Sequence, residues 1–118
     1  MMASDSSSSP FLPFRATEER EYGAIRLFDD TSETTAGLPF KYSCFVVSPG
    51  SISRRDQHEV QEVWVILSGS GNLLVDGSLF RVKPGDVVHF DSMRTHQVEN
   101  DGAGDIEVFS FWWNRDGA

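Results

Sequence analysis

The chain is poor in cysteine, in cations and in long apolar runs. Its one cysteine, Cys44, cannot close an internal disulfide, so nothing marks an oxidising compartment. The same scarcity excludes an iron–sulfur cluster and a cysteine-rich zinc site. Lys and Arg number 10 against 18 Asp and Glu, a formal charge of −8. That balance argues against nucleic acid and against an anionic membrane surface, both of which select basic patches. No apolar stretch approaches the roughly 20 residues of a membrane-spanning helix. The Ser-rich start, residues 1–9, lacks the apolar segment of a secretory signal. It reads as a disordered tail, and a cytoplasmic location is expected. No segment sustains a helical period, and Glu18 to Glu21 suffices for one turn at most. No motif for an organic cofactor is present.

What the chain does have is the makings of one β-rich core. At 118 residues with nine Phe and three Trp, a single domain is expected. It is placed at residues 10–118. Pro10 to Phe14 forms a short apolar arm that can lie along the domain or a partner subunit. Strands are expected at 24–28, 40–47, 60–67, 73–75, 79–82, 87–90, 95–98 and 106–113, with a loop over 29–38. Asp76-Gly77 between two of them is a type I′ hairpin signal, because Gly accepts positive φ. Eight or nine short strands with regular Gly turns indicate an all-β sandwich or barrel. A small barrel closes its edges and turns side chains from distant strands toward one cavity.

Two segments carry chemistry. In the first, Asp56, His58 and Glu62 are evenly spaced, so an unbroken strand points all three one way. Two carboxylates and an imidazole facing one way are unfavourable unless something compensates them. A divalent cation does so, and His96 in the second segment offers another imidazole. Two His with one or two carboxylates suit iron(II), manganese, nickel or zinc.

These residues resemble the motifs of the cupins, small β-barrels of jelly-roll type. The first cupin motif, G-x5-H-x-H-x3or4-E-x6-G, is met by Gly50, His58, Glu62 and Gly69, with Asp56 in place of its first His. The second, G-x5-P-x-G-x2-H-x3-N, is met by Gly85, His96 and Asn100, with Asp91 and Met93 at the Pro and second Gly positions. The resemblance covers about residues 40–113. It implies a metal held by His58, Glu62 and His96, with Asp56 as a fourth ligand if its shorter side chain reaches. Without Asp56 the site is a two-His-one-carboxylate triad. It also implies a homodimer, for which the arm at 10–14 is a plausible interface element.

Fold alone does not select a reaction. The resemblance implies a small metal-dependent enzyme for a keto, enol or hydroxy-carbonyl substrate: a cyclase, isomerase, lyase or dioxygenase of a tailoring or catabolic pathway. Glu62 or Asp56, if not firmly ligated, is the candidate proton carrier. Trp64 shares the face of Glu62, and Met93 and Arg94 precede His96, so these three are candidate substrate contacts. His89, among apolar neighbours, reads as structural or supporting. Asn100 reads as a turn holder. For Asp56 the plain alternative is a loop carboxylate paired to Arg54 or Arg55. A non-catalytic barrel that binds a small molecule is the main competing function, and a sugar-nucleotide epimerase of related shape ranks below it.

Overall fold

Alternation of burial along β-strands builds the centre of this molecule. In the computed structural model, described here for residues 10–28 and 37–114, nine strands form and no helix is present among the described residues. In chain order they are β1 (Phe14–Arg20), β2 (Gly23–Phe28), β3 (Lys41–Val47), β4 (Gln61–Ser68), β5 (Gly71–Val75), β6 (Ser78–Val82), β7 (Val87–Phe90), β8 (His96–Glu99) and β9 (Ile106–Trp113). The expected tail at 1–9 and most of the expected loop at 29–38 lie outside the described residues.

The strands divide into two sheets. One has six strands in the order β1-β2-β3-β9-β4-β7, and the other has three in the order β6-β5-β8. All named pairings are antiparallel. The stretch from Gly50 to Asp56 extends the smaller sheet. It pairs with β8 through backbone hydrogen bonds from Gly50 to Asn100, from Ser53 to Val98 and between Asp56 and His96. Two facing antiparallel sheets of this kind form a jelly-roll barrel.

Every second residue of β4 and β9 faces inward. Glu62, Trp64 and Ile66 meet Ile106, Val108 and Ser110 between the sheets, and Val47, Leu73, Val75, Phe90 and Val98 complete the core. The opposite faces of β9 and β4 carry Phe109, Phe111, Trp113, Val63 and Val65, all half-buried. The Asp76-Gly77 turn has φ of 48° and 84°, as a type I′ hairpin requires, and joins β5 to β6.

One element departs from expectation. Glu18 to Glu21 does not form a helical turn; residues through Arg20 belong to β1, paired along its length with β2. Its composition is polar because it is an edge strand, largely exposed, and its ladder to β2 decides its conformation.

Candidate metal centre

The route by which the chemistry-bearing residues meet differs from the expected one. β4 begins only at Gln61, and the chain bends at residues 59–60. Asp56, His58 and Glu62 therefore do not share one unbroken strand. Asp56 instead pairs with His96 across the sheet, each backbone N–H donating to the other's carbonyl at 3.0 Å. His58 follows two residues later. Its carbonyl accepts a hydrogen bond from the Met93 N–H at 2.6 Å. Met93 sits at φ 68°, a left-handed conformation that its place at a motif glycine position explains. Two backbone ties thus bring the two segments together.

One ligand atom from each of Asp56, His58 and His96 lies within 4.8 Å of the others. Metal–ligand bonds of about 2.1 Å place two ligand atoms up to about 4.2 Å apart, so a small closure makes the trio a chelate. The His58 and His96 rings are 5.7 Å apart, centroid to centroid. His96 is buried, with its ring stacked on Phe90 at 4.2 Å. Its Nδ1 lies 3.1 Å from the Arg94 carbonyl oxygen. The Nδ1–H tautomer makes that hydrogen bond and leaves a lone pair on Nε2, the arrangement that a metal-binding imidazole uses.

Glu62 stands beside His96. Its Oε2 accepts from Trp64 Nε1 at 2.9 Å and from Ser110 Oγ at 2.5 Å. Its Oε1 lies 3.2 Å from His96 Nε2, and with the ring proton on Nδ1 the two atoms face each other as acceptors. These two buried atoms have no other hydrogen-bond partner in the described structure. Buried polar atoms are rarely left so. A cation satisfies both, so the donor set fits a divalent transition metal. Without one, a proton does the same work. Burial favours neutral Glu62, but the donors His96, Ser110 and Trp64 outweigh it and hold the carboxyl below its usual value. Burial likewise pushes His96 down, and the adjoining Glu62 carboxylate more than offsets this, so the imidazole is raised.

The centre opens into a cavity of about 580 Å³, walled by Tyr22, Ile25, Phe45, Trp64 and Trp112. Trp64 is there as expected. Met93 and Arg94 do not line it; Met93 is half-exposed, and Arg94 is paired to Asp76 at 2.8 Å, beside a second cavity. His89 lies on the outer sheet face, 2.6 Å from Gln61 Oε1 and stacked on Trp113. Asn100 is buried, donates to the Val47 and Gly104 carbonyls and accepts from the Gly102 N–H. The alternative partner of Asp56 is also real: Arg54 Nε donates to its Oδ1 at 2.9 Å. That leaves Oδ2 toward His58, 3.9 Å from Nε2. Two residues escaped the sequence reading. Ser110 had a signal, as the lone hydroxyl among the aromatics of β9, in phase with Val108. Tyr22 had none, because it sits in a turn.

A family model described as a cupin domain matches residues 43–112. The chain belongs to the cupins. Among solved structures, this cupin is similar to a Cupin 2 conserved barrel domain protein from Salinispora arenicola, at 25% identity and TM-score 0.75 over 86% of this chain and 84% of that one. It is similar to a predicted oxalate decarboxylase from Thermotoga maritima, at 23% identity and TM-score 0.69 over 96% and 99% of the two chains. A third is the cupin domain of an XRE-family transcriptional regulator from Enterobacter cloacae, at 21% identity and TM-score 0.66 over 79% and 97%.

Proposed function

We propose that this cupin is a metal-dependent enzyme acting on a small keto, enol or hydroxy-carbonyl substrate. The observation that carries the reading is the facing pair of unsatisfied buried atoms, Glu62 Oε1 and His96 Nε2, beside Asp56 and His58 at the cavity. A bound divalent ion would supply Lewis acidity toward a substrate carbonyl. Asp56, His58 and His96 would hold it, with Glu62 Oε1 directed at the same ion. Glu62 has one oxygen already occupied by two donors, which suits it to a fixed role. Asp56 is more exposed, and where its Oδ2 is not ligated that oxygen, directed away from Arg54, suits it to moving a proton between substrate carbon and oxygen. Such enolisation underlies isomerisation, cyclisation and elimination alike.

A binding module is the second reading. It is favoured by the half-exposed His58 and by the likeness to a regulator's cupin domain. Elemental analysis of untagged protein tests the choice. About one equivalent of a transition metal is expected, lost in His58→Ala and His96→Ala while the barrel stays folded. No metal after reconstitution with iron, zinc, manganese or nickel would sink the enzyme reading.

The same proposal includes a cytoplasmic homodimer. Among the described residues no helix is long and apolar enough to cross a membrane. The outer face of the larger sheet presents Phe109, Phe111, Trp113 and the exposed Val87, and Phe11 on the arm is 81% exposed. Faces of this kind are protected by association. Light scattering at micromolar concentration should give twice the chain mass, and a monomer there would refute it.

A further inference from the structure

The β1–β2 turn is clamped onto the end of β3. Gly23 has φ 149°, and a Cβ added there would lie 1.9 Å from the Val46 carbonyl oxygen. Only glycine lets the backbones approach so closely. On the same turn the Tyr22 carbonyl accepts the Ser48 N–H at 2.7 Å. These ties, one at Tyr22 itself and one at the next residue, fix Tyr22, whose side chain packs on the core and lines the main cavity beside Arg54, Asp56 and His58.

Several other donors around that cavity are already spent on the protein. Trp64 Nε1 and Ser110 Oγ serve Glu62, Gln57 Nε2 serves the Met93 carbonyl, and Arg54 Nε serves Asp56. Among the described residues, none shares a hydrogen bond with the Tyr22 hydroxyl. Burial pushes that phenol up, opposed in part by Arg20 and Arg54, so it keeps its proton at neutral pH. Tyr22 also lies outside residues 43–112, the part matched to the cupin family. Its placement comes from the N-terminal hairpin of β1 and β2.

The geometry points to Tyr22 as the residue that binds the substrate's outer oxygen, donating a hydrogen bond to a molecule held at the Asp56–His58–His96 centre. This rests on the metal reading above. The class of molecule follows from the walls. Ile25, Phe45 and Trp112 favour a flat apolar body. The lining carries three carboxylates, Asp56, Glu59 and Glu62, against the single guanidinium of Arg54, which favours a neutral or singly charged ligand over a dicarboxylate.

The probe is 4-nitrocatechol, a planar oxygen chelator whose absorption changes on binding a metal. Zinc-loaded wild type and Tyr22→Phe are titrated with it, with bound zinc measured before and after and thermal unfolding compared. Phe keeps the ring and its packing. Equal zinc content, equal unfolding and about fivefold weaker nitrocatechol binding in the variant are expected, the size of one neutral hydrogen bond. Equal affinity in both proteins overturns the role of Tyr22 and leaves the metal reading standing. Loss of zinc in the variant overturns it too, since the phenol would then serve the centre itself. Zinc-loaded wild type that leaves the nitrocatechol spectrum unchanged overturns the binding role. Failure of wild type to hold zinc at all overturns both readings together.

Discussion

Replacing Glu62 in two ways separates its structural work from its electrostatic work. Glu62→Ala removes the acceptor of Trp64 Nε1 and Ser110 Oγ, both buried. Each orphaned donor costs about 1–3 kcal/mol, so metal-free Glu62→Ala should lose about 2–6 kcal/mol. Glu62→Gln keeps an amide oxygen for both donors and turns an N–H toward the His96 Nε2 lone pair 3.2 Å away. It should stay within about 1 kcal/mol of the parent at high pH. The parent's own profile sets the comparison. His96 is raised on folding, so its contribution is complete below its ordinary value of 6.5 and is lost as pH rises through the folded value. Glu62 is lowered, so its contribution is complete above its ordinary 4.5 and is lost as pH falls through the folded value. The metal-free parent should therefore gain most from the pair between pH 4.5 and 6.5 and weaken above it. Glu62→Gln should show no such decline on the alkaline side. Urea unfolding of chelator-treated protein from pH 4 to 9, followed by tryptophan fluorescence, measures all three. A Gln variant as unstable as the Ala variant throughout, or a parent with no alkaline decline, would refute the pairing.

Asn100→Ala strips three hydrogen bonds from a residue 1% exposed, including the acceptors Val47 O and Gly104 O. A loss of about 2–4 kcal/mol follows, and Tm should fall by about 10 °C in calorimetry; a fall under about 2 °C would contradict it. Gly23→Ala must open more than an ångström between β2 and β3 to relieve its contact with Val46. Faster amide exchange in β1 and β2, with β4 and β9 unchanged, is the expected signature, and uniform protection would contradict it.

The sequence shows β4 as a strand plainly, because Val60 to Leu67 is its most β-prone run, while the alternation of buried Glu62, Trp64 and Ile66 with half-buried neighbours emerges only in the fold. The β5–β6 hairpin is equally legible, since Asp-Gly encodes its own turn. β1 is not, because its polar residues acquire strand geometry only from the ladder to β2. The centre was legible in membership and not in construction. Even spacing brought Asp56, His58 and Glu62 onto one list, but the bend at 59–60 breaks the face they were to share. What joins Asp56 to the histidines is a pairing between residues 40 apart, which no local pattern records. Tyr22 stayed hidden for the same reason, since its position depends on Val46 of β3 and on Ser48 just after it.

The reciprocal pairing of Asp56 with His96 has a consequence for how such a centre changes over time. A rung of this ladder is written in peptide groups, which every residue except proline supplies. Positions 56 and 96 therefore stay opposite one another whichever side chain stands at 56. An imidazole can give way to a carboxylate there, lowering the charge of the centre by about one unit, with the spacing of the remaining donors preserved. The barrel keeps its frame constant and leaves the electrostatics of its interior open to single substitutions.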